Sequence, residues 1–167
     1  MRKAKGMNDL DPDEILATVS ASYGRRVLGI ACLVLLGGLV LYLAVTTTPA
    51  LIWRLFLLGL GAGFLGIADM MRRSTALVLE LTETQLRERG GQVLARIEDI
   101  QSIDRGFFAF KPSNGFLLRL AYTAPRQWRP GLWWRMGRRI GVGGMTPASA
   151  TKNMSEMIAI LIAKRAG

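Results

Sequence analysis

The sequence predicts an α+β fold: a two-helix transmembrane hairpin, then a small antiparallel β open barrel or bent sheet with a C-terminal capping helix. Three observations carry this expectation. Two apolar runs, residues 27–45 and 51–71, stand five residues apart. From Leu77 onward apolar and polar residues alternate, broken by Gly90-Gly91 and by Pro112-Ser113-Asn114-Gly115. After Thr146-Pro147, apolar residues recur at helical spacing. The expected organisation is a cytoplasmic N-terminal segment 1–25, a transmembrane helical hairpin 26–73 and a cytoplasmic domain 74–167.

In Asp11-Pro12-Asp13-Glu14 a capping carboxylate precedes a proline at the first helical position, so a short helix is predicted there. Ile15, Leu16 and Val19 would share one side of it and lie on the inner leaflet. Each apolar run then meets the length of about 20 helical residues that a bilayer core of about 30 Å requires. The connector Thr46-Thr47-Thr48-Pro49-Ala50 is short and uncharged, which forces a tight antiparallel helical hairpin. The first run exceeds the apolar core of a secretory signal, about 7–15 residues, and is read as an uncleaved helix.

Gly59 and Gly63 form a G-x-x-x-G pair, and Ala62 with Gly66 repeats the spacing on an adjacent stripe. Small residues let helices approach closely where lipid supplies no hydrophobic drive. These four are expected to pack the helical hairpin on itself against Gly37 and Gly38, or else to contact another protein. Arg54 and Asp69 are the charges within the second run. Arg54 can snorkel to the interface beside Trp53, and Asp69 can pair with Arg72 or Arg73, so both read as anchors rather than a proton or ion path.

Beyond Arg73, Leu77, Leu79 and Leu81 alternate with Val78, Glu80 and Thr82, a strand pattern. Residues 84–89 and 92–97 flank Gly90-Gly91, a β-hairpin signal. Residues 100–105 and 107–110 continue as strands, and Phe116, Leu118, Leu120 and Tyr122 alternate in another. A Pro- and Trp-rich loop leads to a short strand over 138–145 with Ile140 and Val142 inward. Thr146 then caps a final helix whose apolar face is Met154, Met157, Ile158, Leu161 and Ile162, with Lys164-Arg165 at the negative end of its dipole.

Two spans, the segment Leu79-Glu80-Leu81-Thr82-Glu83-Thr84-Gln85-Leu86 leading into a Gly-Gly turn, the stretch Ile97-Glu98-Asp99-Ile100 and the closing helix together resemble bacterial membrane proteins with two transmembrane helices followed by a pleckstrin-homology-like domain. The resemblance covers roughly residues 27–165. It implies a seven-stranded bent sheet or open barrel capped by the C-terminal helix, with the soluble part in the cytoplasm, and it implies no reaction. The insertion from Pro125 to Arg139 is longer than that pattern requires.

Lys and Arg number 22 against 12 Asp and Glu, a net charge of +10. Arg25-Arg26 and Arg72-Arg73 flank the spans while their connector is uncharged, so both termini are expected in the cytoplasm of an inner-membrane protein. There is no histidine, and the one cysteine, Cys32, lies in the first span. The usual bases, thiol nucleophiles and zinc sets are therefore missing, and no enzyme, catalytic residue, cofactor, metal or small-molecule substrate is expected. Nucleic-acid binding competes for the basic charge, but a membrane face also accounts for the tryptophans.

The expected interface is Arg126, Trp128, Arg129, Trp133, Trp134, Arg135, Arg138 and Arg139. Tryptophan prefers the headgroup zone, and each basic residue beside an anionic leaflet is worth about 1 kcal/mol. The expected function is non-enzymatic: a membrane-anchored domain that engages anionic lipid or a membrane partner. The alternative is an accessory or assembly subunit of a larger complex, or a homo-oligomer.

Overall fold

The structure is a computed structural model and describes residues 14–47, 49–104 and 112–166. The stretches expected at 11–13 and 107–110 lie outside the described residues. Ala17–Ser20 is a strand, β1, and not part of an amphipathic helix. It pairs antiparallel with β2 (Val78–Leu81), Val19 opposite Leu79, and Leu16 N–H donates to the Leu81 carbonyl at 2.8 Å. The reason is alternation: Ala17 and Val19 are buried while Thr18 and Ser20 are exposed, the period of a strand. The domain therefore does not begin at residue 74; its first strand precedes the helices.

Between β1 and β2 run α1 (Tyr23–Thr46) and α2 (Leu51–Ser74), both long and apolar enough to cross a membrane by length and composition. In each, 11% of the most apolar window is buried, unlike the core helix of a soluble protein. The expected packing stripe is corrected. A Cβ added at Gly59, Gly63 or Gly66 would meet nothing within 4 Å, Gly38 is equally open, and Ala62 is exposed. The helices meet instead through Gly37 and Gly61. A Cβ on Gly61 would stand 2.6 Å from Leu41 Cγ, and one on Gly37 would stand 3.1 Å from both Leu65 Cδ2 and the Gly61 carbonyl. Gly37 on α1 receives Leu65 of α2, and Gly61 on α2 receives Leu41 of α1. One turn on from each leucine, Ala44 and Ala68 are buried, so both helices carry the same i, i+4, i+7 pattern. Asp69 pairs with Arg72 and Arg73, each at 2.8 Å.

The first sheet is a meander in the order β1-β2-β3-β4, with β3 (Gln85–Glu88) and β4 (Val93–Arg96) joined through Gly90-Gly91. A 3-10 turn at Ile97–Asp99 leads to β5 (Ile100–Asp104), and the second sheet has the order β5-β6-β7. Residues 125–139 form no loop. They belong to a long β-hairpin of β6 (Phe116–Arg129) and β7 (Trp133–Val142). Pro130-Gly131 makes its turn: Leu132 N–H donates to the Arg129 carbonyl at 3.1 Å and Gly131 has φ +80°. Proline then glycine at the central positions, with positive φ at the second, is a type II turn.

The β-hairpin is bent. Arg119 pairs with Arg139 but Ala124 with Gly137, so residues 120–123 bulge out of register. Arg138 donates to the carbonyls of Leu120 (3.2 Å) and Ala121 (2.6 Å), supplying acceptors on the bulge with donors that β7 does not provide. The outer limb then reaches the edge of the first sheet, where Gln92 and Gln127 exchange amide hydrogen bonds of 2.8 and 3.2 Å.

The two sheets enclose one core of Val19, Leu79, Leu81, Leu86, Leu94, Ile100, Phe116, Leu118, Leu120, Leu132, Trp133, Ile140 and Val142. α3 (Ala148–Ala166) closes it with Met154 and Ile158, while Met157, Leu161 and Ile162 are partly buried against it. Thr146 does not supply the expected cap. Its hydroxyl is buried with no hydrogen-bond partner among the described residues, and Pro147 directly precedes the helix. Among the described residues the chain is thus α+β: two long apolar helices, two antiparallel sheets of four and three strands, and a C-terminal helix.

Candidate functional site

Successive residues of a strand point to opposite faces, so the Trp-Arg segment divides between the core and the surface. Trp133 is 1% exposed and its Nε1–H donates to Glu88 Oε1 at 2.9 Å. Arg135, 6% exposed, donates to the carbonyls of Pro125 (3.1 Å) and Leu94 (3.3 Å) and to Gln127 Oε1 (2.7 Å). Both were expected on an interface, and both instead fasten the outer limb to β3 and β4. Their phase explains it: Trp133 and Arg135 are two apart and share the inward face. Arg129 lies at the turn, 3.4 Å from Glu88 Oε1, and bridges surface and core.

The remaining expected residues converge. Arg126, Trp128, Trp134, Arg138 and Arg139 line one groove of about 970 Å³, together with Arg119, Gln127, Met136 and Pro112. The bend creates it. Arg119, Arg138 and Arg139 come from the inner limb, and Arg126, Trp128, Trp134 and Met136 from the outer limb. Trp128 and Trp134 stand opposite each other across the strands. The indole of Trp134 lies over Gly141, where any Cβ would collide with it. Trp128 is 57% exposed and Met136 is exposed as well. Among the described residues no carboxylate lines the groove.

Arg119 was missed because it lies outside the Trp-Arg segment. Only the bulged register puts it opposite Arg139. Like charges directly opposite each other across a strand pair are unfavourable by about 0.2–1 kcal/mol. The arrangement can hold an anion between guanidinium groups and an apolar body against the indoles.

The β-hairpin turn places this groove relative to the helices. A Cβ on Gly131 would stand 3.0 Å from Thr75 Cγ2 and 3.0 Å from Met145 Cγ, so the turn packs beneath the end of α2. At the start of α1, Ser22 N–H donates to the Met145 carbonyl at 2.7 Å and Arg25 Nη1 to that of Thr146 at 3.4 Å. At about 3.3 Å per residue, Trp128 and Trp134 lie within about 10 Å of the turn.

A second charged cluster lies on the first sheet. Glu80 is 4% exposed and accepts from Arg89 Nε at 2.6 Å, with Arg87 Nε at 3.5 Å. The Arg89 hydrogen bond holds its carboxyl below the ordinary value of 4.5, outweighing the upward push of burial. A lowered folded pKa stabilises the fold above the unfolded value, and that contribution is lost as pH falls through the folded one. The melting temperature is therefore expected to drop below pH 4.5, and Glu80→Gln to flatten that acid limb in a thermal-melt series. An unchanged acid limb in Glu80→Gln would remove Glu80 from that role.

Among the described residues no group of three or more Cys, Asp or Glu could hold a metal ion. Cys32 is exposed on α1. No family model, curated protein or solved structure matches this chain, so any function rests on its own residues.

Proposed function

We propose that the chain is a non-enzymatic integral inner-membrane protein whose cytoplasmic, pleckstrin-homology-like domain engages the anionic membrane surface. The observation that carries this reading is the β-hairpin turn packed against Thr75 at the end of α2. If α1 and α2 span the bilayer, that contact holds exposed Trp128 and its basic neighbours at headgroup level. Each helix has 24 residues, about 36 Å of rise, enough for a core of about 30 Å. β1 and β2 pair although one precedes the helices and the other follows them. Both ends of the helical hairpin therefore leave on one side, and Arg25, Arg26, Arg72 and Arg73 favour the cytoplasm. Among the described residues the two sheets hold seven strands and α3 closes their core, the number the pleckstrin-homology-like pattern implies, with β1 ahead of the helices rather than after them.

The test uses the full chain in nanodiscs of zwitterionic or mixed anionic lipid carrying brominated acyl chains. The quenching difference between the wild type and Trp128→Phe reports Trp128 alone. It is expected to be large, and larger in anionic lipid. Equal emission loss in both proteins and both lipids overturns the reading, as does a reporter after Gly167 that works only in the periplasm.

The open stripe of Gly59, Ala62, Gly63 and Gly66 favours a second reading, an accessory subunit or homo-oligomer with a contact on α2. Native sizing in mild detergent distinguishes it: a large assembly that Gly59→Leu with Gly63→Leu dissolves would support this reading over the first.

A further inference from the structure

The groove holds a charge arrangement that no described residue compensates. Arg119 and Arg139 face each other across β6 and β7, both exposed and both lining the groove. Neither makes an ion pair or side-chain hydrogen bond with a described residue. Asp104, opposite Leu117, has an interaction of its own and does not line the groove. Arg126 approaches from the other limb, also without an ion-pair partner among the described residues. Arg138 differs, since its guanidinium is committed to the carbonyls of Leu120 and Ala121.

Facing guanidinium groups repel unless an anion sits between them, and planar guanidinium donors match phosphate oxygens. The rest of the groove is apolar and aromatic, with Trp128 and Trp134 opposed and Met136 beside them. A free phosphate would use only the cationic end. A volume of about 970 Å³ is at the upper end of the roughly 300–1,000 Å³ typical of small-ligand sites. The Trp pair adjoins the turn packed beneath α2, the place from which a leaflet lipid would enter.

The geometry points to a site for one anionic phospholipid, its phosphodiester between Arg119 and Arg139 and its glycerol and upper acyl chains against Trp128 and Trp134. This rests on the reading that α1 and α2 hold the domain at the bilayer surface. It adds a stoichiometric, saturable ligand to what would otherwise be diffuse attraction.

The full chain is reconstituted with phosphatidylglycerol and phosphatidylcholine, then extracted into nonionic detergent, and retained lipid is counted by native mass spectrometry. One phosphatidylglycerol per chain is expected, with phosphatidylcholine absent. Arg119→Gln with Arg139→Gln should lower the retained fraction at least tenfold while melting, free of lipid, no lower than the wild type, because it removes the same facing charges. Arg96→Gln should leave retention alone. A second readout avoids counting. Arg119→Glu places a carboxylate opposite Arg139, so in lipid-free detergent it should melt above the wild type. It should also lose the rise that phosphatidylglycerol gives the wild type.

Retention that ignores both arginines overturns the site. So does an equal melting rise with inorganic phosphate, which makes the ligand a soluble anion, or a rise with polyglutamate alone, which makes it an acidic protein. If no lipid is retained while Trp128 is still quenched in anionic nanodiscs, the site falls and the surface reading stands. Loss of both removes both.

Discussion

Replacing residues 23–74 with a flexible linker of about four residues is expected to yield a soluble β domain that melts cooperatively, whereas residues 74–167 alone are expected not to. The difference is β1. Ser20 stands opposite Val78, so the strands flanking the helices already form two arms of a β-hairpin. Cross-strand partners lie about 4.5–5.5 Å apart, which a short linker closes without strain. Without β1 the domain loses Val19, which is 0% exposed and worth about 1.5–3 kcal/mol. It also leaves β2 as an unpaired edge. A domain of this size holds about 5–15 kcal/mol in total, so losing a whole strand consumes much of the margin. Urea titration followed by circular dichroism checks it: a sigmoidal transition for the linked form, and a broad one with aggregation for the fragment. Equal transitions in the two would mean that β1 is an ornament of the domain and not part of it.

The misreading of β1 has a definite cause. Ile15, Leu16 and Val19 satisfy helical spacing as well as Ala17 and Val19 satisfy alternation, and four residues cannot decide between them. The partner that decides lies beyond both long helices, at Leu79. Local patterns fared better. The Gly90-Gly91 turn, the inward Ile140 and Val142, and the buried face of α3 each depend on neighbours a few residues away. The helix contact was harder, because G-x-x-x-G is a property of one helix and the real contact belongs to two. Gly37-Leu41-Ala44 and Gly61-Leu65-Ala68 carry the same small-large-small order, visible only when the helices are set side by side.

The Trp-Arg segment shows where composition and geometry part. Its residue types pointed to a surface, and five of the eight residues expected there do line the groove. Pro130-Gly131 between Trp128-Arg129 and Trp133-Trp134 was a legible β-hairpin signal hidden by the density of arginines. The bulge at 120–123 was not legible, because a register shift leaves no mark in composition. That shift pairs Arg119 with Arg139 and folds the two limbs around a groove. The part of the site that sequence could not supply is therefore a phase: which of two adjacent tryptophans faces inward.

That phase predicts opposite outcomes for two tryptophans in one segment. Trp133→Ala is expected to cost about 3–5 kcal/mol, the usual loss for truncating a fully buried aromatic. Trp128→Ala should stay within about 0.5 kcal/mol, as surface changes do. Trp133→Phe separates the causes, since it keeps most of the buried ring but removes the donor to Glu88. Leaving that buried carboxylate short of a partner costs about 1–3 kcal/mol, so this variant should fall between the other two. Denaturant midpoints of the linked β domain measure all three. Lipid readouts should rank the first two the other way, with Trp128→Ala weakening contact while the fold is intact. A Trp128→Ala loss as large as that of Trp133→Ala would mean that the outer limb buries the opposite face. The groove, with its paired arginines, would then not exist in solution. Stability and the proposed lipid contact must be read from different tryptophans, because Trp133 on β7 turns into the core while Trp128 on β6 lines the groove.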